Sequence, residues 1–303
     1  ALAASKNSKK SWEILKEAAS LRKNTHKVTE IRTNGTPTTD STEIANAFNT
    51  FFATAGTNIA NSLPTTTVDP LSYCPDLPDT ARHLDLEGCG PMLVGNTIKS
   101  LVSKNSTDLD GISSKLLKAV SYEIERPLAH IFSLSLSTGI FPEALKSTRV
   151  IPIHKAGDTT NCDNYRPISL VNAFSKILEQ IVSTKLSLHL EQNNLIYEHQ
   201  YGFLKGKSTE HALLHITNKI GQALNENKYC VGVFLDLKKA FDVVPHSILL
   251  KKLEKLGITG TALSWFQSYL SNRTQKVDIN GNLSDAAYLD ALSVFQGTSL
   301  GPI

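Results

Sequence analysis

Apolar side chains recur at helical spacing in the first part of the chain. Asp40 and Glu43 form a helix-capping signal, and the helix that follows carries one apolar face, made of Ile44, Phe48, Phe51, Phe52, Ala55 and Ile59. A shorter amphipathic helix is predicted over residues 9–22. Because an aromatic stripe at this spacing is more often core than a base-stacking surface, we assign it to a hydrophobic core.

From residue 96 onward, helical periodicity alternates with extended segments. The pattern predicts helices over residues 96–104, 112–121, 123–137, 172–190, 208–225, 247–256 and 259–271. It predicts strands over residues 148–153, 165–170, 228–236, 273–279 and 286–294, the last two forming a hairpin around Asn280-Gly281. Pro152 favours an edge position for the first strand. An Asx turn or helix cap explains the acidic pair Asp108 and Asp110.

The strand predicted over residues 228–236 ends in a carboxylate. Its valines and Phe234 are typical of a buried strand, and Asp236 follows at the carboxyl end, where α/β sites gather ligands. A buried charge there must be paired or hold a metal, although a single strand-end aspartate is more often a cap or turn residue. Phe241 is either core or the wall of a nucleotide sugar site, and Asp242 is predicted to be a cap.

Cationic residues precede that strand at strand ends and in loops. Each alone is more typical of a solvated surface, but together they suit phosphate oxygens; they are Arg149, Lys155, Arg166, Lys205 and Lys207. The segment Gly202 to Ser208 ends in Gly-Lys-Ser but has one residue too few between its glycines for a P-loop, so we reject an ATPase site. Gln296-Gly297 begin a tight turn, which is either a simple loop or a backbone approach to a template–nucleotide pair.

Composition excludes several classes of protein. With 303 residues, 41% hydrophobic and 19% charged, the chain is ordinary for a globular protein. We expect neither a transmembrane helix nor a secretory signal, and the four scattered cysteines lack zinc-site spacing. Reduced thiols then predict an intracellular protein of the cytoplasm or nucleus. Residues 1–32 hold eight Lys and Arg against three Glu, which is either a solvated arm or one that faces nucleic acid.

The order of these motifs resembles that of the reverse transcriptases of non-LTR (LINE-type) retrotransposons. The resemblance covers about residues 95–303 and is collinear, running through Arg149, Lys155, Tyr165-Arg166-Pro167-Ile168-Ser169, Gly202-Phe203, Leu235-Asp236 and Gln296-Gly297. The segment Phe48-Asn49-Thr50-Phe51-Phe52 resembles the region that joins an endonuclease to the polymerase in such elements.

The resemblance implies a role for each matching residue. Asp236 would be the catalytic, metal-binding aspartate of the palm, and the Leu237 carbonyl a further ligand of Mg²⁺ or Mn²⁺. Phe241 would exclude a ribose 2′-hydroxyl. The remaining matches would contact the incoming dNTP: Lys155 and Arg166 its triphosphate, Gln296 and Gly297 its pairing with the template.

The resemblance also implies an α+β right-hand polymerase. Helix-rich fingers and a partial ferredoxin-like palm would occupy residues 95–303, behind a linker over 62–94 and a helical N-terminal extension over 1–61. Its partners would be an RNA template, a DNA primer and an endonuclease domain of the same polyprotein, with no membrane. Phe295 stands where the family has proline, which predicts a looser turn. The paired aspartates of the family would lie beyond Ile303, so we expect this fragment to be inactive alone.

Three other hypotheses stay open. The first is an RNA polymerase of the same palm class, against which Phe241 argues. The second is a non-catalytic RNA-binding module on the same fold. The third is a decayed relic of a retrotransposon with no function.

Overall fold

The chain folds into a mixed arrangement of helices and sheet. The computed structural model describes residues 28–33, 35–64, 66–75, 77 and 82–303, so the helix predicted over residues 9–22 lies outside the described residues. The helices are α1 (Ser41–Ser62), α2 (Pro91–Ser100), α3 (Ser114–Ala119), α4 (Ser121–Thr138), α5 (Ala173–Gln192), α6 (Thr209–Asn225), α7 (His246–Lys255) and α8 (Gly260–Leu270). The strands are β1 (Ile31–Thr33), β2 (Thr36–Thr38), β3 (Ser147–His154), β4 (Tyr165–Val171), β5 (Thr274–Ile279), β6 (Asn282–Leu283) and β7 (Ala287–Tyr288).

The main sheet is built around β3. Strand β4 pairs with β3 in antiparallel register, from Thr148↔Val171 to His154↔Tyr165. Strand β5 pairs with the other side of β3 in parallel, and β6 and β7 add short antiparallel pairings to β5. Strands β1 and β2 form a separate two-stranded ribbon. Within this sheet, β4 is left with one free edge.

The prediction that Pro152 marks an edge strand is wrong, because β3 lies between β4 and β5. Pro152 faces Pro167 across β4. Lys155 donates its backbone N–H to the Asn164 carbonyl at 2.8 Å, so these two residues form a hydrogen-bonded pair. Hydrogen-bonded and non-hydrogen-bonded pairs alternate along an antiparallel ladder, and the Pro152–Pro167 pair is therefore a non-hydrogen-bonded one. The β3–β5 pairing has already stopped at Val150. Neither proline nitrogen therefore interrupts a ladder.

The strand predicted over residues 228–236 is not formed. These residues have no regular secondary structure, and Phe234 and Leu235 are 88% and 91% exposed. A strand is stable only when its backbone groups pair with a neighbour, and no strand of the described residues pairs with this segment. The lack of burial extends beyond this segment. Residues 191–256 are all described and include α6, and none of them is buried.

The other predicted elements are found with shifted boundaries. Helix α2 starts at Pro91, five residues before the predicted 96, because proline is well tolerated in a first helical turn. Strands β5 and β6 flank Asn280-Gly281 as predicted, but the second half of that hairpin shortens to β7. Asp40 caps α1 as predicted, accepting hydrogen bonds from Thr42 and Glu43 N–H. None of the helices in the described ranges combines the length and apolarity that a bilayer span requires.

Asp108 confirms the structural interpretation of its acidic pair. One carboxylate oxygen accepts hydrogen bonds from the N–H groups of Asp110 and Ile112, at 3.0 and 2.9 Å. The other accepts from the Ala173 N–H at 2.7 Å, at the first residue of α5. The buried carboxylate thus closes an Asx turn and caps α5.

Two hydrophobic cores hold the fold together. The larger packs α2, α4, α5 and α8, and its centre is an aromatic group in which Trp265 stacks on Tyr269 at 5.5 Å and Phe141 meets both rings edge-on. The smaller core packs α1 on the sheet, where Phe48 meets Tyr165 at 4.9 Å. Phe48 is fully buried and Phe52 packs against it, as predicted for the stripe, whereas Phe51 is only partly buried and lies outside this core.

Candidate functional site

Lys155 and Arg166 lie together at the loop end of the β3–β4 hairpin. Ile153 is the register partner of Arg166, and Lys155 follows two residues later, opposite Asn164. Side chains alternate along a strand and opposed residues point the same way, so Lys155 and Arg166 project from one face of the hairpin. Both are exposed. The structure therefore brings these two predicted cations together on a surface accessible to an anion.

Arg149 shares that face, but its guanidinium is in an ion pair. Its Nη2 pairs with the carboxylate of Asp278 on β5, and its Nη1 donates to the Thr107 carbonyl at 3.3 Å. The ion pair ties β3 to β5, and Asp278 is almost fully buried. Arg149 thus has a structural contact between β3 and β5, and its grouping with the phosphate-binding cations stays a prediction.

The Gln296-Gly297 turn lies against the free edge of β4. The outward-facing N–H of Ser169 donates to the Gln296 carbonyl at 3.0 Å. Gly297 has φ +104°, and a Cβ atom built on it would stand 3.1 Å from the Ser169 carbonyl oxygen. The turn covers an unpaired strand edge, three residues along β4 from Arg166. Strand β4 therefore carries Arg166 and also contacts the Gln296-Gly297 turn.

Phe295, at the start of this turn, is packed. It is 8% exposed, and its ring centroid lies 4.7 Å from the guanidinium carbon of Arg273. Arg273 is itself buried and also lies over the rings of Phe141 and Tyr269, at 5.4 and 4.5 Å. This packing of the ring on a buried cation argues against the looser turn expected from phenylalanine at this position.

The interior of the turn is held by polar contacts. Thr298 donates its hydroxyl to the Phe295 carbonyl at 3.1 Å and accepts from the Gly301 N–H at 3.0 Å. Ser299 donates its backbone N–H to a carboxylate oxygen of Glu179 at 3.3 Å. Burial raises the pKa of Glu179, and the nearby Arg273 charge opposes that shift. Sequence reasoning missed Glu179 because a glutamate on a helix is usually solvated.

Among the described residues, no hydrogen bond or ion pair joins Asp236 or Leu237 to this turn. Asp236 is exposed, and Leu237 is 76% exposed. The described residues contain no group of three His, Cys, Asp or Glu side chains that could hold a metal ion. The residues present therefore do not assemble the predicted Mg²⁺ or Mn²⁺ site, and Asp236 stands as a single exposed carboxylate.

Phe241 is half-buried and connected to the turn. It lies in a 3₁₀ turn over Ala240–Asp242, with its ring 6.5 Å from that of Phe203 in an edge-on arrangement. Its carbonyl accepts the N–H of Val294 at 2.8 Å, immediately before Phe295. The backbone of Phe241 is thus hydrogen-bonded to the segment that enters the Gln296-Gly297 turn.

Lys239, which sequence reasoning did not single out, fixes the 3₁₀ turn. Its Nζ pairs with Asp163 at 2.9 Å and lies 4.3 Å from the ring centroid of Phe51 on α1. Its φ of +51° is left-handed, a conformation that lysine rarely adopts. A Cβ built on Gly56 of α1 would stand 2.0 Å from the Asp242 carbonyl oxygen. Helix α1 therefore packs directly on the segment that leads from Asp236 to Phe241.

Asp242 does not cap a helix as predicted. Helix α7 begins at His246 after Pro245, without a side-chain cap. Burial raises the pKa of the Asp242 carboxyl, and the nearby Lys239 charge opposes that shift. The backbone carbonyl of Asp242, not its carboxyl group, lies against Gly56 of α1.

Comparison with known proteins agrees with these motifs. Residues 153–303 match the family model of the reverse transcriptases (RNA-dependent DNA polymerases). The chain is 33% identical over 207 residues to a probable RNA-directed DNA polymerase from transposon BS of Drosophila melanogaster, covering 68% of this chain and 23% of that protein. It is 34% identical over 210 residues to the RNA-directed DNA polymerase from mobile element jockey of the same organism, covering 69% and 23%.

A third relative carries the same kind of element. The chain is 31% identical over 206 residues to a putative 115 kDa protein in the type-1 retrotransposable element R1DM of Drosophila melanogaster, covering 67% of this chain and 19% of that protein. The chain thus spans about a quarter or less of the length of these relatives. Its collinear motifs and these matches together show that residues 153–303 belong to the reverse transcriptase family, among the polymerases of non-LTR retrotransposons.

Proposed function

We propose that this chain is part of an RNA-directed DNA polymerase that adds dNTPs to a DNA 3′-hydroxyl on an RNA template. The supporting observation is the convergence on β4 of exposed cations and a glycine turn. Arg166 lies near the start of the strand, Lys155 projects beside it from β3, and the turn at Gln296-Gly297 binds the strand edge at Ser169.

Each of these groups suits one part of an incoming nucleotide. Arg166 presents a planar fork and Lys155 a point charge, which together match the oxygens of a triphosphate. Gly297 has no side chain, so backbone and ligand can approach closely at the turn. Gln296 contributes an amide that can both donate and accept hydrogen bonds at a base pair.

Asp236 and Phe241 complete the proposal from the other side. Asp236, with the Leu237 carbonyl, is the proposed ligand of a divalent ion, Mg²⁺ or Mn²⁺, which such polymerases use to stabilise the transferring phosphoryl group. Asp236 belongs to no group of three possible ligands among the described residues, so a bound ion would need further ligands. Phe241 is proposed to exclude a ribose 2′-hydroxyl, and so to select dNTP over rNTP.

The partners and organisation follow from the same proposal. We propose that an RNA template and a DNA primer bind across residues 95–303 of an α+β right-hand polymerase, with helix-rich fingers and part of a palm. Residues 1–61 would connect this unit, through a linker over 62–94, to an endonuclease domain of the same polyprotein. Such a protein would act inside the cell, in the cytoplasm or the nucleus.

Primer extension by the full-length protein tests the proposal. The protein is given an RNA template, a DNA primer and dNTPs, and DNA product is measured for the wild type, for Asp236→Ala and for Glu254→Gln, which alters an exposed carboxylate on α7. We expect product from the wild type and Glu254→Gln, and at least a hundredfold less from Asp236→Ala. Equal product from wild type and Asp236→Ala would contradict the role of Asp236.

Three other outcomes point to the competing hypotheses. Preferred incorporation of rNTP would favour an RNA polymerase of the same class. Salt-dependent RNA binding without any product would favour a non-catalytic RNA-binding module. Neither binding nor product would favour a relic.

A further inference from the structure

Glu179 is the one carboxylate whose side chain is completely buried among the described residues. It lies on the inner face of α5, between the buried Leu178 and Ile181. A carboxylate in such a place is costly unless hydrogen bonds satisfy its oxygens. The hydrogen bonds that Glu179 accepts therefore indicate its structural role.

Those contacts lead to the Gln296-Gly297 turn. The Ser175 hydroxyl, one helical turn earlier, donates to one oxygen at 2.9 Å. The other oxygen accepts the Ser299 backbone N–H at 3.3 Å. Ser299, a residue of the turn, is thus bonded directly to the buried carboxylate.

A neighbouring residue strengthens the connection. The Ser299 hydroxyl contacts the side-chain oxygen of Gln180 at 3.3 Å, so adjacent residues of α5 hold both polar groups of Ser299. On its other side, the turn is held by the Ser169 N–H of β4. The turn is therefore clamped between a helix interior and a strand edge, and the helix side depends on Glu179.

We propose that Glu179 is a positioning residue, whose carboxylate sets the placement of the Gln296-Gly297 backbone against β4 and thereby the tightness and selectivity of nucleotide pairing. This inference rests on the proposed function of the turn. Glu179 itself does not touch the nucleotide. Its effect passes through Ser299 to the two residues that would contact the template-paired dNTP.

Glu179→Gln is the informative variant. It keeps the size of the side chain but removes the charge, so the Ser299 N–H no longer has a charged acceptor. Ser135→Ala is the matched control, since it removes a buried hydrogen bond from Trp265 Nε1 at 3.0 Å in the same core, far in sequence from the turn.

Hydrogen exchange on this chain tests whether Glu179 holds the Gln296-Gly297 turn in place. In Glu179→Gln, amide exchange in a peptide over residues 296–301 should become about tenfold faster, the size expected for losing one hydrogen bond to a charged group. Ser135→Ala should leave that peptide unchanged. Unchanged exchange in Glu179→Gln would overturn the proposal, whatever the protein's activity.

Steady-state kinetics of the full-length protein tests whether the position of the turn affects nucleotide binding and selectivity. Glu179→Gln should raise the KM for the correct dNTP about tenfold and raise misincorporation, with little loss of primer–template affinity. Ser135→Ala, which removes a buried hydrogen bond in the same core, should leave both unchanged. An active wild type with equal KM and fidelity in both variants would overturn the positioning role. A wild type that makes no DNA would instead overturn the proposed function.

Discussion

Gly297 lies so close to Ser169 that a Cβ atom at position 297 would stand 3.1 Å from the Ser169 carbonyl oxygen. The same glycine has φ +104°, where side chains are strained. Gly297→Ala should therefore both strain the backbone and push the turn off β4. We expect the variant to lose about 2 kcal/mol of unfolding free energy, measured by urea denaturation, and to lose dNTP affinity in the full-length protein.

Gly281→Ala separates these two effects. Gly281 has φ +91°, but nothing lies within 4 Å of a Cβ built there. This variant should be strained to a similar degree while dNTP affinity stays at the wild-type value. Equal loss of affinity in both variants would mean that contact with Ser169 is not what matters.

Lys239 should hold the segment between Asp236 and Phe241 in place. Lys239→Met removes the ion pair with Asp163 and the cation over the Phe51 ring, which together stabilise by about 1 kcal/mol. Hydrogen exchange over residues 236–242 should become faster. The adjacent Lys238→Met alters an exposed lysine and should have no such effect; similar exchange in both variants would contradict the anchoring role.

Phe295 should stabilise the turn that it begins. Phe295→Leu keeps an apolar side chain but removes the ring that covers the Arg273 guanidinium. We expect a loss of about 1 to 2 kcal/mol in unfolding free energy. Phe203→Leu, at a phenylalanine that is 68% exposed, should change stability far less. A stable Phe295→Leu protein would restore the interpretation that Phe295 loosens the turn.

His246 should make stability depend on pH. Burial lowers its pKa, opposed by the Ser293 carbonyl, which its Nε2 contacts at 2.8 Å. The folded protein thus favours neutral histidine, so this contribution is complete above the unfolded pKa of about 6.5 and is lost as pH falls through the lowered folded value.

The test is a comparison of urea unfolding at several pH values from 7.5 down to 5. Glu179 and Asp242 have raised pKa values and act in the opposite direction, so the difference from a non-titrating variant is the useful quantity. His246→Gln should lose less stability on acidification than the wild type, whereas His130→Gln, at an exposed site, should follow the wild type. Parallel curves for all three proteins would exclude His246 as the cause.

Local chemistry made much of the fold predictable. The Asp40 cap, the apolar face of α1 and the turn at Asn280-Gly281 each depend on neighbours in sequence, and all three are present. Lys155, Arg166 and the Gln296-Gly297 turn could be picked out by residue type and order. Their meeting on β4 required the sheet register, which no local pattern contains.

The failures have one physical cause, which is dependence on distant partners. A valine-rich run forms a strand only if another strand is available, and residues 228–236 have none among the described residues. Pro152 predicts an edge strand only if no other proline faces it, and in the sheet Pro167 does. Glu179 and Lys239 gain their roles from groups more than seventy residues away, so residue type alone indicated only solvated charges.

The exposure of residues 228–236 has a practical consequence for work with this chain. A run of valine, phenylalanine and leucine with unpaired backbone groups is a template for intermolecular β-pairing. Lys238, which is exposed at one end of the run, provides charge repulsion that weakens as salt rises. The chain should therefore stay dispersed in dilute, low-salt solution and form fibrillar or amorphous assemblies when concentrated in high salt.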